Sequence, residues 1–159
     1  MSVSRVNAEG YHDPVAYEAL SRVRKEERAA ARAEACRPLV YVCSPYAGDT
    51  ERNAEAARRY CRFAVGQGVV PLAPHLLFPQ FVDEGTEREL ALRMGMALLG
   101  RCGQVWVFGG IVSKGMAAEI RKAERMRKKV RYFMEDKEGF RETGGRSGGG
   151  KGRMEGWRI

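Results

Sequence analysis

Four short stretches of this chain, residues 39–43, 69–73, 105–108 and 130–133, are apolar at nearly every position. Runs of that length and character predict strands covered on both faces, as in a parallel sheet. The segments between them repeat apolar residues three or four positions apart, the spacing of one helix face. Ala54, Ala57, Cys61 and Ala64 mark a helix over 51–65 whose small residues suit close packing on a sheet. Leu90, Met94, Ala97 and Leu98 mark a second helix ending near 99, and Met116, Ile120 and Ala123 a third ending near 128. Pro71 predicts that the second strand lies at a sheet edge, because proline cannot donate to a ladder.

The punctuation agrees with this division. Thr50 is placed to cap the first of these helices, with Asn53 in its first turn, and Gly66 and Gly68 stop it. Thr86-Glu87-Arg88-Glu89 has capping-box spacing, and Ser113 is a good N-cap. Residues 76–85 form a loop that holds Phe78, Pro79, Phe81, Asp83 and Glu84. Too apolar to be simply solvated, it is expected to act as a partial lid.

The ends differ from the middle. Residues 1–13 lack periodicity, and Pro14 opens a helix to about residue 36 in which Tyr17, Leu20 and Val23 form a short apolar stripe. That helix is expected to pack on the domain by its first half or to mediate self-association. Residues 136–159 are rich in glycine and charge and cannot bury enough apolar area to offset their ordering entropy. Trp157 alone does not make a fold. The expected organisation is therefore a helical extension (1–37), an α/β domain (38–134) and a Gly-rich, charged, mostly disordered tail (135–159).

Strands separated by helices imply a parallel sheet with right-handed crossovers, here four strands in the order 2-1-3-4. Ligands in such sheets bind at the carboxyl ends of the strands, where the strand order reverses. That point lies between the first and third strands, where loops 44–49 and 109–113 emerge.

Composition narrows the classes. At 159 residues, 44% hydrophobic and 30% charged, the chain is expected to be one soluble domain. It has no apolar run of membrane-spanning length and no signal-peptide layout at its N-terminus, so the cytoplasm is the expected compartment. Cys36, Cys43, Cys61 and Cys102 form no C-x-x-C pair and read as reduced thiols, and no metal is expected. The net charge of +8 brings nucleic acid into consideration. Much of the excess sits between Lys114 and Arg131, where a solvated helix face is the plainer reading and phosphate attraction the alternative.

The cleft gathers Ser44, Tyr46, Asp49, Asn53, His75, Ser113, Gly115 and Glu119. Helical side chains lean toward the N-terminus, so Glu119 projects over the turn that holds Gly115. The chain has no Walker lysine loop, GxGxxG or metal-spaced histidine pair. A buried carboxylate among hydroxyls and backbone donors suits glycosyl transfer through a covalent intermediate, with a second group to assist the leaving base. His75 is the histidine near that cleft.

Leu39-Val-Tyr-Val-Cys-Ser-Pro-Tyr46 and Ser113-Lys-Gly-Met-Ala-Ala-Glu119 resemble the nucleoside 2-deoxyribosyltransferase superfamily. Within it the chain looks closest to an uncharacterised phage and bacterial branch (DUF4406- or DUF7768-like). That branch shares Ser-Pro-Tyr, Ala-Pro-His-Leu, Trp-Val-Phe-Gly and Ser-x-Gly-Met, and the resemblance covers residues 38–133. It implies a Rossmann- or flavodoxin-like three-layer α/β fold. It also implies that Glu119 attacks the anomeric carbon, with Tyr46 near the sugar and His75 as a further catalytic residue. Ser44, Pro45, Gly48, Asp49, Asn53, Gly109, Ser113, Gly115 and Met116 would contact the substrate. The characterised relatives carry an aspartate on the helix before the third strand, where this chain has Gly95, and Asp83, Glu84 and Glu87 are the candidates to replace it.

The expected function is thus a nucleoside or nucleotide N-glycosidase or 2-deoxyribosyltransferase that uses no cofactor. The alternatives are a non-catalytic nucleotide-binding module in the same cleft, and a nucleic-acid-associated protein that uses the basic helix. The expected partners are a small nucleoside or nucleotide and, by resemblance, a second copy of the chain.

Overall fold

The computed structural model describes residues 10–11, 14–83 and 85–146. The chain divides into two compact units, Met1–Arg37 and Pro38–Ile159. In the first, α1 (Pro14–Ala35) buries none of its residues, and Leu20 and Val23 of its apolar stripe are exposed.

The second unit is built on one five-stranded sheet of β1 (Leu39–Cys43), β2 (Val70–Leu72), β3 (Gln104–Phe108), β4 (Lys129–Asp136) and β5 (Gly139–Arg146). The order is β2-β1-β3-β4-β5. The first four strands run parallel in the expected order, with Pro71 on the edge. Four helices complete the unit: α2 (Thr50–Gly66), α3 (Pro74–Leu77), α4 (Arg88–Arg101) and α5 (Lys114–Arg125). No helix among the described residues is long and apolar enough to cross a membrane.

Strand side chains alternate between faces, so each strand feeds two cores. Tyr41 and Cys43 of β1 join Val105, Val107, Val130 and Tyr132 under Leu99 of α4 and Met116, Ile120 and Ala123 of α5. Val40 and Val42 join Trp106, Phe108 and Phe133 under Ala57, Tyr60 and Ala64 of α2. Burying each such aliphatic side chain contributes roughly 1.5–3 kcal/mol. The alanines of α2 let it sit close enough for Tyr60 to stack on Phe108, with centroids 4.6 Å apart.

Several expectations are corrected. The sheet is mixed rather than four parallel strands, because β5 pairs antiparallel with β4 from Asp136↔Gly139 to Val130↔Arg146. Residues 135–146, expected to open a disordered tail, are therefore ordered; 147–159, with Trp157, lie outside the described residues. Three contacts offset the poor strand propensity of this segment. Phe140 packs on Phe63 (4.7 Å) and Tyr60 (5.7 Å). Arg131 holds Glu142 through two hydrogen bonds of 3.0 and 2.7 Å. The guanidinium also lies 4.7 Å from the ring centre of Trp106. Gly139 supplies the turn at φ +126°, a conformation that favours glycine.

Asp49, not Thr50, caps α2 by accepting from the Arg52 N–H. The helix at Arg88 has no side-chain cap, so the capping box does not form. The buried residues of α4 are Gly95 and Leu99, while Leu90 and Ala97 are exposed. The buried stripe is shifted because Gly95, having no side chain, lets the helix sit down on Tyr41 and Phe78. Residues 76–85 are not an open loop: α3 and a 3-10 turn (Phe78–Gln80) bury Phe78, and Val82 is buried too.

Candidate functional site

Two loops meet at the carboxyl ends of β1 and β3. Gly109 has φ +102°, and a Cβ there would come within 2.8 Å of Pro45 Cδ, so this close approach requires glycine. Asn53 ties the first loop from below, with its amide nitrogen donating to the carbonyls of Tyr46 (3.0 Å) and Ala47 (3.1 Å). Gly48, at φ +96°, turns the chain toward Asp49 and the start of α2.

Glu119 lies beneath the start of α5, half-buried against β1. Tyr41 Oη donates to its Oε1 at 2.8 Å, and Cys43 Sγ donates to its Oε2 at 3.1 Å. Residues two apart on a strand share a face, so β1 delivers both donors to one carboxyl group. Burial raises the Glu119 carboxyl above its ordinary 4.5, and the bonds from Tyr41 and Cys43 pull it back. Burial first, and then the charge of Glu119, push the Tyr41 phenol and the Cys43 thiol upward, so both stay protonated donors.

The residue after Cys43 opens the second cluster. Ser44 Oγ and His75 Nε2 are 3.0 Å apart, and the tautomer decides which donates. Burial lowers His75 to about 4, so the ring is neutral near pH 7 and serves as a polar contact rather than a cation. The Tyr46 ring lies 5.8 Å from it. Cys43 and Ser44, neighbours in sequence, thus bring a carboxylate cluster and a hydroxyl–imidazole–phenol cluster together.

The other sequence-predicted residues are distributed as follows. Ser113 caps α5, its Oγ accepting from the Met116 N–H at 3.3 Å. Gly115 leaves open space, since a Cβ there would meet nothing nearer than Ser113 Oγ at 3.9 Å. Met116 is buried in the core. Gly95 faces the Tyr41 hydroxyl, which a Cβ would approach to 3.4 Å. Asp83 and Glu87 are tied into their own turn: Asp83 accepts from the Gly85 N–H and Glu87 from the Asp83 N–H. Glu84 lies outside the described residues. Sequence reasoning missed Tyr41 and Cys43, which sit inside an apolar run. Their alternation on one strand face was the available signal.

A separate apolar cavity of about 270 Å³ lies along β2, lined by Pro71, Leu72, Leu76, Gln80 and Leu98 among others. Its polar side-chain groups are the Cys61 thiol and the Gln80 amide, which donates to the Leu76 carbonyl. Its walls include neither Glu119 nor His75, so the candidate chemistry is assigned to the carboxyl-end clusters rather than to this cavity.

A family model described as "Domain of unknown function (DUF7768)" matches residues 38–133. No curated protein matches the chain.

Proposed function

The chain belongs to the DUF7768 family, and from the geometry of its cleft we propose that it is a nucleoside or nucleotide N-glycosidase or 2-deoxyribosyltransferase that acts through Glu119. The observation that carries this reading is the half-buried Glu119 carboxyl, held at both oxygens by Tyr41 and Cys43. Two donors on separate oxygens fix the plane of the carboxylate, and an oriented carboxylate is what attack on an anomeric carbon requires.

In the proposed reaction a Glu119 oxygen bonds to the anomeric carbon as the glycosidic C–N bond breaks. The bonding pair goes to the base nitrogen, which takes a proton from water. Water or a second base then attacks the same carbon, passes its proton to the hydroxide left by the first step, and releases Glu119 as carboxylate. Ser44, His75 and Tyr46 offer hydroxyl and ring contacts for the sugar, and the first turn of α5 offers backbone N–H groups for a phosphate. Helices packed on both sheet faces also favour the three-layer Rossmann- or flavodoxin-like class.

Incubation with a panel of deoxynucleosides and their monophosphates should release free base. Glu119→Gln should abolish that release while the fold stays intact. Base release in Glu119→Gln within about tenfold of wild type sinks the proposal.

One observation favours a second reading, a non-catalytic nucleotide-binding module. Gly95 places no acid beside the Tyr41–Glu119 pair, and His75 is neutral, so neither residue supplies a ready proton to a leaving base. Calorimetry that shows nucleotide binding without turnover would select it.

A further inference from the structure

We propose that Cys43 is a positioning residue for Glu119: its thiol holds Oε2 lightly and leaves that oxygen, rather than Oε1, to meet a ligand's electrophilic carbon. This inference rests on the glycosidase reading for its chemistry, but not for the thiol–carboxyl contact itself.

The two oxygens of Glu119 are not equivalent. A phenol O–H at 2.8 Å is a strong donor, whereas a thiol S–H at 3.1 Å is a weak one. Oε1 therefore gives up more of its negative charge to its partner, and Oε2 keeps more for reaction. A carboxylate offers about four lone-pair positions, so two donors leave room for attack. Cys43 is 1% exposed and lies in the core cluster with Val105 and Val107 of β3 and Met116 and Ile120 of α5, which packs the thiol against the sheet and helix.

The surroundings leave these two donors in control. Burial, Tyr41 and Cys43 set the ionisation of Glu119. From α4, Gly95 brings no side chain, and Cys102 at the end of that helix acts on Tyr41. A serine at position 43 would put a stronger donor on Oε2, and an alanine would remove the donor. The three residue types thus separate holding the carboxylate from quenching it.

The test uses the full chain with 13C-labelled glutamate. Glu119 is assigned by its loss in Glu119→Gln, and its carboxyl carbon is titrated in the wild type, Cys43→Ala and Cys43→Ser. Folding is checked by circular dichroism. Losing one hydrogen bond to the charged form should raise the Glu119 midpoint in Cys43→Ala by about half to one pH unit. Cys43→Ser, with the stronger donor, should bring it to or below the wild-type value. An unchanged midpoint in Cys43→Ala overturns the proposal.

A second measurement needs no change at Cys43. The infrared S–H stretch of the wild type should contain a hydrogen-bonded component that disappears in Glu119→Leu, which has no acceptor atom, and its persistence there overturns the proposal. Where the wild type releases base, Cys43→Ala should lower kcat about 3- to 10-fold with KM within about twofold. The acid limb of its pH profile should move with the Glu119 midpoint. Cys43→Ser should bring the midpoint to or below wild type yet keep kcat below wild type; a fully restored kcat overturns the assignment of Oε2. A wild type that releases no base defeats the glycosidase reading, and the titration and the S–H band then still decide whether the thiol holds the carboxyl.

Discussion

Tyr41 and Val42 are neighbours on β1, yet they face different chemistry. On the face toward α4 and α5, Tyr41 and Cys43 spend their donors on the buried Glu119 carboxyl. On the face toward α2, Val40 and Val42 lie in a dry cluster where Phe108 stacks on both Tyr60 (4.6 Å) and Phe133 (5.2 Å). One face holds a carboxyl whose charge burial disfavours, and the other is an aromatic and aliphatic cluster edged by the Arg131 guanidinium over Trp106. A fold gains nothing in stability from the first arrangement that an apolar trio would not supply.

This contrast can be broken by substitution, one face at a time. The largest effect belongs to the polar face: Glu119→Gln should lower base release about 10³-fold or more, measured as free base per folded protein. Next comes the aromatic face. Phe108→Ala should cost roughly 3–5 kcal/mol of stability in denaturant titration, because it removes the ring on which Tyr60 and Phe133 stack. Activity per folded molecule should change little. Equal losses of activity and stability from both substitutions would erase the distinction between the faces.

Stability against pH sharpens the contrast further. The folded state raises the Glu119 carboxyl above its ordinary 4.5, so it binds more protons than the unfolded chain in the window above that value. Stability must therefore fall as pH rises through the window, and the ionised group costs stability at neutral pH. Glu119→Gln should be more stable than wild type near pH 7, with the gain shrinking as pH falls toward 4.5 and absent below it. His75 acts in the opposite sense. Its folded value of about 4 lies below the ordinary 6.5, so its contribution is present above 6.5 and is lost as pH falls toward 4. His75→Gln should flatten that loss in thermal melts between those two pH values. A smaller effect concerns the hairpin. Glu142→Gln should cost about 0.5–1 kcal/mol, since its bond to Arg131 is partly solvated.

Much of the frame is legible in the sequence because packing wrote it there. The runs at 39–43 and 105–108 are apolar because β1 and β3 are covered on both faces. Met116, Ile120 and Ala123 recur at helical spacing because α5 lies on that sheet. What escaped depends on contacts between distant segments. The strand β5 owes its order to the free edge of β4 and to Phe140 and Arg131, none of which gives the Gly-rich segment a local pattern. The face of α4 turned on a glycine that counts as apolar by absence, namely Gly95 beneath Tyr41.

The site was half legible. Glu119 stood out by its spacing from Ser113 and Gly115, and Ser44 and His75 by their positions after strands. Tyr41 and Cys43 did not, because in an apolar run a phenol and a thiol read as packing. Their role appears only when the register of β1 sets them both under α5.

The most direct measurement of the claim that Glu119 is a nucleophile is the mass of the protein during turnover. Acid-quenching the wild type with the best substrate of the panel and digesting it should give a peptide containing Glu119 that is heavier by one deoxyribosyl or deoxyribosyl-phosphate group. The same peptide from Glu119→Gln should carry no added mass. Base release without any adduct, or an adduct on a different residue, would contradict the assignment.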